Sequence, residues 1–306
     1  EGEAPDWQRL LERREDYRIG TVPAGGLLLT AGTDVQKDRI EASVWAFGRG
    51  KAAWLVEHRI LMGDTARAEV WSALAKLMSE TWTHSSGCQL SLARLALDTG
   101  YATQEAYAFV RGVRDARLMP IKGIAGGAAL IGTPTAVDAT ASGKKLRRGI
   151  KVFPVAGGIA KLEFYNNLRK SAEVADDGIT PIYPTGFVHL PKVDAEYLQQ
   201  LCAEQLITRR DRNGFAHREW QKMRERNEAL DCYVYARAAA AAAGLDRFED
   251  RHWQELEKQL GSDPPLNAQQ ITKPEATQEQ RFDGGLSTSG AATPNPRRVV
   301  RSKWMN

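Results

Sequence analysis

Cysteine is scarce in this chain and does not pair up: Cys88, Cys202 and Cys232 are three of 306 residues, far apart and without a CxxC. An odd, scattered set argues against a disulfide framework and a thiolate zinc site, and it suits a reducing cytoplasm. Histidine is nearly as sparse, with five residues and no HxxxH pair. No apolar run reaches the roughly 18 residues of a membrane span. The start, Glu1-Gly2-Glu3-Ala4-Pro5-Asp6, is acidic and polar and lacks an initiator Met. A signal peptide is therefore not expected, and a piece of a longer chain is. Also missing is the phosphate-cradling GxxxxGK[ST]: Asp138 stands five residues before Gly143, and Lys145 follows Gly143-Lys144 where Ser or Thr is needed. No ATP site is expected.

What is present is the composition of a soluble globular protein, 42% hydrophobic and 26% charged, with a net charge of +4. A mildly basic balance permits a polyanionic partner without demanding one. The informative stretch is Leu27 to Gln36, an apolar run bounded by Gly25-Gly26 and by Gln36-Lys37-Asp38. It is too short for a helix and reads as a buried strand ending on a carboxylate, Asp34. A buried carboxylate is costly unless it is paired, hydrogen-bonded or bound to a cation.

Two further strands, 39–47 and 52–61, follow through short polar turns and predict an antiparallel meander. Helices at 65–82 and 103–113 then alternate with strands at 91–97 and 118–124, which predicts parallel crossovers. The class is α/β, a mixed sheet with an antiparallel meander leading into parallel strands, flanked by helices. A strand at 150–155, a helix at 158–170, a short strand at 187–190, and helices at 193–204, 219–243 and 247–260 complete the pattern. The Trp residues at 45, 54, 71 and 82 fall on core positions of these elements.

The second candidate carboxylate is Asp98, ending the strand Leu92 to Leu97, and the third is Asp231, the one charge between Ala229 and Ala236. Singly, an Asp at a strand end is ordinarily a turn former or helix cap. Asp231 is harder to dismiss, because a carboxylate among apolar residues in mid-helix needs a partner. Glu228 lies three residues earlier on about the same face. Converging acids of this kind suit Mg²⁺ or Mn²⁺, which take hard oxygen ligands. Two such ions, about 3.5–4 Å apart, would activate a water and stabilise the leaving oxygen of a phosphodiester.

Three segments, Leu29-Thr30-Ala31-Gly32-Thr33-Asp34-Val35-Gln36, Leu97-Asp98-Thr99-Gly100-Tyr101 and Asn227-Glu228-Ala229-Leu230-Asp231-Cys232, resemble signature segments of the large terminase subunit of tailed double-stranded DNA bacteriophages, in the lambda-like family. Arg148-Gly149-Ile150-Lys151, Phe187 to Pro191 and Tyr197 to Glu204 are similar too, in the same order. The resemblance implies an RNase H-like nuclease that follows an ATPase motor. It implies cutting of concatemeric double-stranded DNA during packaging with two Mg²⁺ or Mn²⁺ ions. Asp34, Asp98 and Asp231 are the catalytic and metal-binding positions it carries over, with Glu228 as auxiliary.

On that reading residues 1–24 form a linker and helix toward the absent motor, 25–245 the nuclease, 246–260 a helix, and 261–306 a disordered tail. The tail is expected to dock the portal or to touch DNA through its basic end, Arg297 to Lys303. Partners are DNA, the motor domain, the small terminase subunit and the portal or procapsid, in the host cytoplasm and with no membrane. DNA phosphates call for Lys and Arg. The candidates are Lys144, Lys145, Arg147 and Arg148 on a Gly/Ala/Thr-rich loop, and Arg209 and Arg210 at a hairpin turn. The competing readings are another RNase H-like nuclease, of resolvase or transposase type, and a DNA-clamping or portal-docking module whose nuclease is latent.

Overall fold

A computed structural model describes residues 3–137 and 149–261 and the backbone of Val299–Val300. The strand expected at 27–36 is β1 (Leu28–Val35), and every one of its residues is buried. It lies in the middle of an eight-stranded sheet. β2 (Arg39–Phe47) and β3 (Ala53–Met62) pair with it in turn as antiparallel neighbours, the expected meander. On its other side β4 (Arg94–Asp98), β5 (Leu118–Ile124) and β6 (Lys151–Ala156) are successively parallel. A two-residue strand, β7 (Val188–His189), runs parallel to β3 at one edge, and Thr135–Ala136 closes the other. The order β3-β2-β1-β4-β5, with only β2 reversed, is the expected mixed sheet, an antiparallel meander leading into parallel strands.

Helices α1 (Trp7–Glu12), α2 (Ala68–Ser79), α3 (Thr103–Val113), α4 (Gly157–Leu168), α5 (Ala195–Leu201), α6 (Glu228–Ala242) and α7 (Asp250–Gln259) surround the sheet. The core is one main cluster, with Trp45, Phe47, Phe164 and Tyr233 among its largest members. Phe164 of α4 stacks on Tyr233 of α6 at 3.6 Å, and Trp45 of β2 meets Tyr233 edge-on at 4.8 Å. These aromatic contacts bind helix to helix and helix to sheet. Trp71 and Trp82 are buried as expected. Among the described residues no helix is long and apolar enough to cross a membrane.

At three of the boundaries that differ from the sequence pattern, a tertiary contact prevails over local preference. The helix expected over 7–18 stops at Glu12, because the Glu15 amide bonds the Leu190 carbonyl at 2.8 Å and the Arg13 guanidinium donates to the Val188 carbonyl at 2.9 Å. Residues 13–15 thus follow the edge strand. The helix expected to 82 ends at Ser79, and Thr81–His84 pairs instead with Gln89–Ser91. The helix expected from 219 begins only at Glu228. Residues 216–222 form β9 (Ala216–Lys222), hairpin partner of β8 (Glu204–Arg210). Asp211 closes that hairpin by accepting from the amides of Asn213 and Phe215 at 2.8 and 2.9 Å. The loop bearing Lys144, Lys145, Arg147 and Arg148, and the tail beyond 261 apart from Val299–Val300, lie outside the described residues.

Candidate active site

Along β1 the two-residue period sets Thr30, Gly32 and Asp34 on one face. Helix α6 covers that face. The Thr30 hydroxyl donates to the Ala236 carbonyl at 2.8 Å. At Gly32 the helix and strand backbones touch, and a Cβ there would stand 2.1 Å from the Cys232 carbonyl oxygen and 2.4 Å from the Ala236 nitrogen. β4 repeats the device, with small Ala96 packed among Val234 and Ala238 of α6 and Asp98 two residues on. Because Thr33 pairs with Leu97 in parallel register, Asp34 and Asp98 end adjacent strands side by side. Asp231, in the first turn of α6, is carried to them from above. The three acids singled out in the sequence therefore come together.

Their electrostatics are those of a cluster short of positive charge. Asp34 is 6% exposed and accepts from the Gln36 side chain at 2.6 Å. Burial, and then the Asp231 carboxylate, push its pKa up to about 7. Asp98 is raised to about 6, again by burial first, although the Gly100 amide at 3.0 Å and the distant charge of Lys122 work the other way. Asp231 is also raised by burial, against the pull of Lys161. The Lys161 ammonium lies 3.5 Å from Asp231 and 2.8 Å from Glu204. Asn227 ties the same two acids, donating to Glu204 at 2.8 Å and to Asp231 at 2.9 Å.

Glu228 is spoken for by cations: Arg39 stands 2.7 Å from one of its oxygens and Arg226 3.4 Å from the other. The same two arginines reach Glu41, at 2.7 and 2.6 Å. This ion network fastens the start of α6 to β2. Of the two hairpin arginines, Arg209 pairs with Glu219 across the hairpin at 2.5 Å, and Arg210 reaches the Gly214 carbonyl at 3.4 Å. The same hairpin places His217 and Arg218 on a cavity of about 490 Å³ that also takes in Lys161, Trp220, Asp231 and Tyr235. None of these cavity residues but Asp231 was singled out in the sequence. Lys161, Glu204 and Tyr235 lack a spacing signal, since their neighbours are set by the fold.

Among the described residues no three His, Cys, Asp or Glu side chains form a closed ligand cage as they stand. The donor chemistry nonetheless fits a hard divalent cation. Asp34 and Asp98 are buried, negatively charged when ionised, and without an ion-pair partner among the described residues. Mg²⁺ is commonly held by one or two carboxylates, with waters and substrate phosphate completing its shell.

The family described as the endonuclease domain of the terminase large subunit gpA matches residues 1–253. The chain belongs to that family. The terminase large subunit of Escherichia phage lambda is 32% identical to it over 244 residues, which are 78% of this chain and 36% of the lambda protein. That of Enterobacteria phage P21 is 30% identical over 241 residues, with the same two shares. This terminase domain thus spans little more than a third of the relatives it matches. Two solved structures are similar at lower levels. The large terminase nuclease from thermophilic phage G20c with bound magnesium has a TM-score of 0.37 and 14% identity, covering 73% of this chain and 84% of that one. The nuclease domain from bacteriophage SPP1 with bound Mn has a TM-score of 0.32 and 9% identity, covering 74% and 87%. The family assignment rests on the sequence match.

Proposed function

We propose that this terminase domain is a divalent-metal-dependent endonuclease, which cuts concatemeric double-stranded DNA within a genome-packaging machine in the bacterial cytoplasm. The observation that carries the proposal is the convergence of Asp34, Asp98 and Asp231: the charge of Asp231 raises the proton affinity of the other two, and neither Asp34 nor Asp98 has an ion-pair partner among the described residues. Burial of like charges persists in a fold where something compensates it.

Asp34, Asp98 and Asp231 would hold two Mg²⁺ or Mn²⁺ ions, which when bound supply a hydroxide-like nucleophile and charge neutralisation at the phosphate. The chain's own residues do the rest. Gln36 and the Gly100 amide fix the orientation of the first two carboxylates. Asn227 and Lys161 fix the third. The buried seat of α6 on β1 keeps the strand-borne and helix-borne acids in constant relation. Arg218, His217 and Lys161 line the adjoining cavity and give the phosphate backbone a positive approach.

The remaining parts of the proposal concern the longer protein. An ATPase motor domain, a small terminase subunit and the portal are its partners, and residues 1–24 lead toward the motor. Residues 25–245 are the nuclease, 246–260 a helix, and 261–306 the docking or DNA-contacting tail.

The test is cleavage of supercoiled plasmid with Mg²⁺ or Mn²⁺ against an EDTA control, using wild type, Asp34→Asn, Asp98→Asn and Asp231→Asn. Metal-dependent cutting that is lost in all three folded variants is the expected result. Undiminished cutting in the variants sinks the site. DNA binding without cutting under either metal would favour a clamp with a latent nuclease.

A further inference from the structure

Tyr235 stands one helical turn beyond Asp231 on α6, a spacing that stacks the two on one face. Its ring is half-buried and forms part of the wall of the cavity beside Asp231 and Lys161. A Cβ on Gly123 would lie 3.5 Å from the Tyr235 hydroxyl, which locates that hydroxyl over the end of β5, next to the strand that carries Asp98. Burial first, and then the charges of Asp98, Asp231 and Asp34, push the phenol's pKa well up. The group therefore keeps its proton at neutral pH.

Among the buried tyrosines, Tyr17 and Tyr165 have settled hydroxyls, whereas that of Tyr197 is buried without a partner among the described residues and away from the cavity lining. Tyr17 donates to the Leu55 carbonyl at 2.8 Å, and Tyr165 to the Glu204 carbonyl at 2.7 Å. The Tyr235 hydroxyl has no hydrogen-bond partner among the described residues. Tyr235 lines the cavity, so a ligand placed there can accept the hydrogen bond that no described residue accepts. The cavity wall does not need the hydroxyl for packing.

A substrate does need it. Carboxylates and phosphate oxygens only accept hydrogen bonds, so a phosphate brought to three aspartates finds no donor among them. Lys161, a cation lining the same cavity, is already engaged by Glu204 and Asp231. A phenol is a donor without charge. We infer that Tyr235 is a catalytic residue, donating its phenolic hydrogen bond to a non-bridging oxygen of the scissile phosphate. The inference rests on the nuclease function proposed above. No proton is transferred in this role; the bond strengthens as negative charge gathers on the phosphate oxygens.

The experiment compares wild type, Tyr235→Phe and Asp98→Asn in three measurements: plasmid cleavage with Mn²⁺, Mn²⁺ binding by calorimetry without DNA, and thermal unfolding. For Tyr235→Phe the expected result is unfolding within a degree or two of wild type, unchanged Mn²⁺ affinity, KM for DNA within a few-fold, and kcat lower by roughly 100-fold. A kcat within threefold of wild type overturns the assignment. So does a variant in which stability and Mn²⁺ affinity fall along with activity, since the hydroxyl would then be structural. Wild type that cuts equally in EDTA, or an Asp98→Asn variant that still cuts, defeats the nuclease reading itself and this one with it.

Discussion

Asp34 and Glu41 face one another as register partners across β1 and β2, yet their charges are settled in opposite ways. Burial raises the Glu41 pKa, but hydrogen bonds from His58 and Arg39 and the charge of Arg226 outweigh it and hold the pKa at about 2. Asp34, as deeply placed, has the amide of Gln36 and is pushed up to about 7. The fold surrounds the first acid with cations and gives the second only an uncharged amide. A pair so close in space and so different in partners separates what holds the domain together from what it works with.

The pH dependence of metal-free stability follows from Asp34 and Asp98. Their folded pKa values, about 7 and about 6, lie above the ordinary carboxylate value of 3.8. The folded state therefore binds more protons than the unfolded state between those limits. Their contribution falls as pH rises from about 4 through 7. In EDTA, denaturant unfolding of Asp34→Asn is expected to show a flatter pH profile and a gain on the order of 1–2 kcal/mol at pH 8. A variant less stable than wild type at pH 8 contradicts this.

Glu41→Gln has the opposite sign. The folded pKa lies below the ordinary 4.5, so its contribution is complete above that value and is lost as pH falls toward 2. Removing the charge leaves Arg39 and Arg226 to share Glu228 as their remaining buried acid at neutral pH, and a cost of about 3 kcal/mol is expected in urea unfolding at pH 7. At pH 2.5 the difference from wild type should shrink.

Metal addition should stabilise the wild-type protein. A ligand at 100 times its Kd adds about 2.7 kcal/mol, and thermal scans with and without Mn²⁺ read it directly. The shift should vanish in Asp34→Asn. Because Asp34 must lose its proton to bind, the shift should also grow between pH 6 and pH 8.

Two glycines offer a matched test of the seat of α6. A Cβ at Gly32 would meet the Cys232 carbonyl oxygen at 2.1 Å, a backbone atom that cannot yield. Gly32→Ala is expected to cost about 3 kcal/mol or more and to abolish cleavage. A Cβ at Gly112, within α3, meets nothing within 4 Å. Gly112→Ala should gain about 0.5–1 kcal/mol with cleavage unchanged. Circular dichroism melts on the two variants suffice.

The strands and the acids were legible in the sequence because each is a local signal. β1 is a bounded apolar run, and Thr30-Ala31-Gly32-Thr33-Asp34 sets small, polar and acidic residues on one face by simple alternation. The helix α3 and the strand β5 keep the boundaries read from their sequence. The hairpin was only half visible. Its turn, Asp211 to Gly214, has turn chemistry, but β9 reads as the first turns of α6 until β8 takes up its backbone hydrogen bonds. Glu228 illustrates the same limit from the other side. Its spacing to Asp231 shows in the sequence, but its ion pair with Arg39, 189 residues away in the chain, does not. Lys161, Glu204 and Tyr235 acquire significance through neighbours that the linear order does not supply.

The contact of Gly32 with Cys232 and Ala236 joins positions two hundred residues apart. A ribosome delivers the sheet from β1 to β5 long before it delivers α6. Until then the emerging chain bears two of its acids on an uncovered face and lacks the third. The cluster of Asp34, Asp98 and Asp231 thus cannot close until α6 is made, and a polypeptide interrupted before residue 228 lacks its third carboxylate altogether.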